Sequence, residues 1–92
     1  IAVITKRPGI ARRVLPDYPA SVRELGIEGR VVLELTVDEQ GRVTKIRVLR
    51  KLHPKLDEAA RQAARKMRFT PALVNNTPVT VTIPYTFTFV LD

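Results

Sequence analysis

From Val79 to Phe89 apolar and polar residues alternate without a break. Val79, Val81, Ile83, Tyr85, Phe87 and Phe89 occupy one parity; Thr80, Thr82, Pro84, Thr86 and Thr88 occupy the other. A period of two over this length specifies a strand with aromatics on a covered face and threonines on a wet one. The proline inside it is the sharper constraint. Pro84 has no N–H to give, so a strand tolerates it only at a bulge or where that N–H would have pointed away from the ladder. The N–H and C=O of one residue point to the same side of a strand, so an outward Pro84 implies outward backbones at Thr80, Thr82, Thr86 and Thr88. The segment thus predicts its own place, at the edge of a sheet. No charged residue lies between Val79 and Leu91 to repel another strand, and an uncharged vacant edge is a hazard unless it is covered or used. Use by a partner is the expectation.

The rest of the chain supplies a sheet and its cover. Val31, Leu33, Leu35 and Val37 alternate with Glu34, Thr36 and Asp38 as a half-buried strand, and Asp38-Glu39-Gln40-Gly41 then offers a turn. Val43 to Leu49 returns as a second strand with Ile46 and Val48 toward the core; Val43 and Leu49 fall on the opposite parity, so a bulge or exposed apolar surface is expected there. Leu56, Ala59, Ala60, Ala63, Ala64 and Met67 lie on one helical stripe, with Asp57 and Glu58 early, Lys66 and Arg68 late, and Thr70-Pro71 as the stop. Pro19, Ala20, Val22, Leu25 and Gly26 predict a short helix before the first strand. A hairpin followed by a helix crossing back places the Val79–Phe89 strand beside the first one. The expected fold is α+β: a three-stranded antiparallel sheet in the order second, first, last, with two helices on one face. Residues 1–15, rich in proline and holding the pairs Lys6-Arg7 and Arg12-Arg13, read as an extended arm or the end of a linker, with the folded domain over residues 16–92.

Composition removes whole classes of chemistry. With no cysteine and only His53 among histidines, no thiolate or multi-histidine metal site can be built, and no metal or cofactor is expected. His53, followed by Pro54 at a helix start, reads as a cap or surface residue. Turn and dipole chemistry accounts for Asp38-Glu39 and Asp57-Glu58 without an acid/base role. Four glycines make no phosphate loop and no Ser/His/Asp set is present, so no catalytic residue is assigned and no enzyme is expected. The longest uncharged stretch, Phe69 to Leu91, is interrupted by Pro71, Pro78 and Pro84 and is not a membrane helix. The chain starts at Ile1 without a signal pattern, which reads as a fragment or mature product.

Tyr18-Pro19-Ala20, Gly26-Ile27-Glu28-Gly29, Val31 to Val37, Asp38 to Gly41 with Val43, Leu56-Asp57 with Ala59-Ala60, and Arg68-Phe69 with Pro71 occur in one order. Together they resemble the TonB C-terminal domain family, over roughly residues 16 to 90. The resemblance implies a TonB/TolA C-terminal-like fold and the periplasmic end of an energy transducer. Such a protein is held in the inner membrane through an N-terminal segment and coupled there to a proton-driven motor complex. It serves uptake such as that of iron siderophores. The family grips the TonB box of outer-membrane transporters by adding it as a strand beside the last strand of the sheet. Thr80, Thr82, Pro84, Thr86 and Thr88 would then meet the peptide, helped by Leu15, Pro16, Asp17 and Tyr18. Two departures stand out: Met67 where tryptophan often precedes the Arg-Phe pair, and Leu15-Pro16-Asp17 where the best-known member is polar.

Other readings compete. The family domain also occurs in membrane proteins that are not transporter energisers, and the open edge would equally let the chain pair with its own copy as a homodimer. The net charge of +7 and the stripe Arg61, Arg65 and Arg68 invite an anionic partner. Nucleic acid fits less well, since there is no GxxG loop and Phe69, Tyr85, Phe87 and Phe89 sit at core positions instead of interleaving with basic residues.

Overall fold

A computed structural model describes residues 4–91. Ile1, Ala2 and Val3 of the expected arm, and Asp92 at the end of the expected domain, lie outside the described residues. In chain order the elements are β1 (Gly9–Arg12), α1 (Ala20–Glu24), β2 (Gly29–Val37), β3 (Val43–Arg50), α2 (Pro54–Lys66), β4 (Arg68–Thr70), β5 (Ala72–Val74), β6 (Thr77–Val79) and β7 (Val81–Phe89).

The main sheet is antiparallel in the order β3-β2-β7. Its middle strand carries the strictest alternation: Val31, Leu33, Leu35 and Val37 are fully buried, whereas Val32, Glu34 and Thr36 are only partly covered. Leu56, Ala60, Ala63 and Ala64 of α2 and Val22 of α1 close over that face. The alanines keep the α2 backbone near the sheet, and Phe69, Phe87 and Phe89 fill the space around them. His53 caps α2, its Nδ1 accepting from the Lys55 N–H at 3.1 Å, and Pro54 occupies the first turn.

The hairpin between β2 and β3 depends on one glycine. Gly41 adopts φ +79°, and a Cβ placed there would stand 1.8 Å from the Phe69 carbonyl oxygen. No side chain fits, because the Phe69 N–H reaches the Gly41 carbonyl at 2.8 Å and draws the two backbones together. Asp38 closes the same turn, accepting from the Gln40 and Arg42 N–H groups, both at 2.9 Å. These bonds, the one from Arg42 first, hold the Asp38 carboxyl below its ordinary pKa. The β2–β3 ladder slips register at both of its own ends, between Val32 and Leu33 and between Thr36 and Val37, and Leu49 is left 49% exposed. The off-parity residues thus produce both a bulged ladder and a patch of apolar surface.

Two expectations are corrected by the structure. The Val79–Phe89 run is broken at Thr80, which lies between β6 and β7, its hydroxyl donating to the Glu39 carboxylate. Val79 belongs instead to a small hairpin with β5, turned by Asn75 and Asn76 at φ 49° and 69°, the left-handed pair of a tight hairpin. Helix α2 ends at Lys66, before Thr70-Pro71: Met67 is extended, and Arg68–Thr70 becomes β4, paired with Gly9–Arg12. Pairing with β1 and the Gly41 contact win over another half-turn of helix. The described part of the proline-rich arm is extended and is attached to the domain through β1 and through Thr5 and Lys6, whose N–H groups donate to the Leu73 carbonyl at 2.8 and 3.2 Å.

Candidate functional site: the open edge of β7

β7 pairs with β2 over nine consecutive positions, from Val81 opposite Val37 to Phe89 opposite Gly29, without a register shift. Pro84 stands opposite Glu34. In an antiparallel ladder, opposed residues alternate between pairs that exchange both hydrogen bonds and pairs that exchange none; a residue without N–H belongs in the second kind. The Pro84 pair therefore fixes the phase. Val81, Ile83, Tyr85, Phe87 and Phe89 bond to β2, while Thr82, Pro84, Thr86 and Thr88 turn their backbone groups away from it. On that side β7 has no ladder partner among the described residues. Each of these four side chains is exposed. Thr80 stands outside this row, and the Thr82 hydroxyl lies 3.5 Å from that of Thr36 on the open face.

The arm runs past this edge on the core side. Ile4, Arg7 and Pro8 face Val81 to Pro84 across a cavity of about 380 Å³. Further along, Arg13 to Pro16 face Tyr85 to Thr88 across a second cavity of about 240 Å³. Within the second cavity's lining the Arg13 guanidinium donates to the Tyr85 hydroxyl at 3.3 Å. Tyr85 is held edge-on between Phe69 and Phe87, with ring centroids 6.4 and 5.0 Å away.

The other expected contact residues separate. Leu15 is 82% exposed and lines the second cavity together with Pro16. Asp17 is exposed nearby, beside α2. Tyr18 is a packing residue: its ring meets Phe89 edge-on at 5.4 Å and its hydroxyl donates to the Ile27 carbonyl. Burial, then the Glu28 carboxylate, raises its pKa, so the hydroxyl stays a donor. The basic stripe does not form as one row. Arg61 and Arg65 lie on α2, but Arg68 belongs to β4 and folds back to donate to the Met67 carbonyl at 2.9 Å. Among the described residues no cluster of acidic or histidine side chains is arranged to hold a metal.

A family described as Gram-negative bacterial TonB protein, C-terminal, matches residues 14–91. The chain belongs to the TonB C-terminal family. The TonB protein of Vibrio cholerae is 30% identical over 92 residues, covering 98% of this chain and 38% of that protein. The TonB protein of Yersinia enterocolitica is 34% identical over 76 residues, or 80% of this chain and 29% of its own length. The chain thus spans well under half of these TonB relatives. The solution structure of the Pseudomonas aeruginosa TonB C-terminal domain superposes with a TM-score of 0.77 at 31% identity, covering 92% of this chain and 87% of that one. The α+β architecture is therefore that of the TonB C-terminal family. What the arrangement can do follows from the open row of backbone groups: it offers hydrogen bonds to another extended chain.

Proposed function

We propose that this chain is the transporter-facing end of a TonB-type energy transducer, with residues 16–92 as the domain and residues 1–15 as its arm. It captures the TonB box of outer-membrane transporters as a strand on the free edge of β7. The observation that carries this reading is the phase set by Pro84, which turns Thr82, Thr86 and Thr88 outward from a ladder that is complete on its other side. Family membership supports a periplasmic location in a Gram-negative bacterium. A segment outside this chain holds it to the inner membrane and to the proton-driven motor, whose energy is delivered as a pull for uptake of substrates such as iron siderophores. Affinity comes mainly from main-chain bonds worth about 0.5–1.5 kcal/mol each, so it is modest and tolerant of sequence. A strand pulled along its length loads several of those bonds together.

Titration of the isotope-labelled chain with a TonB-box peptide tests the reading. The amides of Thr82, Thr86 and Thr88 shift first, before those of α2. Shifts confined to Arg61, Arg65 and their neighbours would instead assign the binding to the basic helix face. Sedimentation over a range of concentrations separates peptide capture from pairing of two β7 edges in a homodimer, and capture requires a monomer at the titration concentration.

A further inference from the structure

The face of the main sheet turned away from the core has a chemistry that strand addition does not use. Its positions on β2 are Arg30, Val32, Glu34 and Thr36, all exposed or half-buried. Thr36 stands opposite Lys45, Glu34 opposite Arg47 and Val32 opposite Arg50 on β3, while Arg30 stands opposite Thr88 on β7. Opposed residues of a ladder share a face, so each of these four successive rows carries one cation. Same-face positions repeat about every 7 Å along a strand, which makes a line of exposed cations about 20 Å long. The register shift between Val32 and Leu33 keeps Arg50 in that line: Val48 stands opposite Leu33, and Leu49 is passed over. In an unbroken ladder Leu49 would take the place opposite Val32.

Little on this face opposes the charge. Glu34 is its carboxylate, and it pairs with Arg47 at 3.3 Å. Among the described residues Arg30, Lys45 and Arg50 have no ion-pair partner. Beside Lys45, Arg47 and Glu34, the hydroxyls of Thr36 and Thr82 lie 3.5 Å apart and line a cavity of about 200 Å³. That space is several times the volume a water takes in the liquid, about 30 Å³, so it admits a headgroup phosphate.

The kind of partner follows from what accompanies the cations. Every aromatic residue of the chain packs in or against the core. The face therefore offers no platform on which bases could stack, and no aromatic anchor of the kind that dominates interfaces between proteins. A broad array of cations and hydroxyls suits a partner that is equally broad and presents phosphate oxygens, which describes an anionic lipid headgroup layer.

We propose that the helix-free face of the sheet docks the domain on a phosphate-bearing lipid surface, with Arg30, Lys45 and Arg50 meeting the headgroups. The cations that blunt β3 as an edge thus serve a second purpose as a face. The proposal does not depend on peptide capture, because the open backbone row of β7 points along the plane of the sheet.

The test mixes the chain with vesicles of phosphatidylcholine alone, or of equal parts phosphatidylcholine and phosphatidylglycerol, and reads binding by co-sedimentation. Binding is expected with the anionic vesicles and is lost as added salt shortens the screening length. Each cation near such a surface contributes about a fivefold factor, so Lys45→Gln with Arg50→Gln weakens binding about 25-fold. Arg61→Gln with Arg65→Gln removes equal charge from α2, on the far side of the sheet, and changes binding less than about twofold. Unchanged unfolding midpoints confirm that both double variants are folded. Equal losses in the two would reduce the effect to net charge and overturn the docking face. Displacement by inorganic phosphate beyond that caused by chloride at equal ionic strength would overturn it in favour of a pocket for a single anion. Absence of vesicle binding, alongside capture of a short DNA that the Lys45 and Arg50 substitutions abolish, would overturn it in favour of nucleic acid.

Discussion

The two edges of the main sheet flank the same strand, β2, and have opposite characters. β3 carries Lys45, Arg47 and Arg50, slips register at both ends and leaves Leu49 as its exposed apolar residue. β7 carries no charge, keeps its register for nine pairs and breaks its outward row of donors only at Pro84. Charge and bulges are the ordinary means of making an edge unattractive to other chains. One side of this sheet is thus closed to company and the other kept open, and the protection is applied selectively instead of being a general property of a basic protein.

Substitution can break this contrast at several levels, beginning with the strand both edges share. Leu33→Ala removes a fully buried side chain from β2 and is expected to cost about 3–5 kcal/mol, seen in denaturant unfolding, and to weaken both edges together. Gly41→Ala forces a Cβ against the Phe69 carbonyl at positive φ; a loss of about 3 kcal/mol is expected, concentrated in the β2–β3 hairpin and β4, which amide exchange would locate. Gly26→Ala is the control, since φ is +69° but nothing stands within 4 Å, and about 1 kcal/mol is expected.

Smaller changes sharpen the contrast on β7 alone. Thr86→Pro deletes an outward N–H that β2 does not use, so peptide affinity falls about two- to tenfold while the unfolding midpoint moves little; Pro84→Thr restores one and raises affinity by a similar factor. Equal losses of stability and affinity in Thr86→Pro would place that N–H in the β2 ladder and reverse the phase of the edge. The smallest effect belongs to the β3 side. The Asp38 carboxyl has a depressed pKa in the folded chain, set first by the Arg42 N–H. Its contribution is therefore complete above the ordinary carboxylate range and disappears as pH falls through the folded value. Acid titration of wild type and Asp38→Asn checks this: the variant lacks that portion of the pH dependence, and peptide binding at β7 is unaffected.

Much of this was legible in the sequence because long periods leave little choice. The alternation from Val31 to Val37 and from Val81 to Phe89, and the alanine stripe of α2, each determine an element and its buried face. The position of Pro84 within that alternation pointed to a strand at a sheet edge, and β7 lies at one. The short strands were not legible. Three residues such as Arg68–Thr70 hold no period, and their conformation is decided by Gly9–Arg12 and by the bare Cα of Gly41, both distant in the chain. For the same reason Arg68 could be read as the last cation of a helix, and Thr80 as one more threonine of a strand. The cavities beside β7 are a still longer-range product: Ile4 faces Ile83 across one of them, and Arg13 reaches Tyr85, from nearly opposite ends of the chain.

The attachment of the arm has a mechanical consequence. Ahead of α1 the chain is fastened by three paired positions on β4 and by the backbone bonds to Leu73, a far weaker seam than the nine-position ladder holding β7. A pull applied to the chain ahead of α1 would reach that seam before the sheet, and stripping residues 5–12 would free about 25 Å of extended chain. The molecule would yield there first, lengthening like an uncoiled tether while the tertiary core stayed intact, and the arm's side of the cavities beside β7 would come away with it.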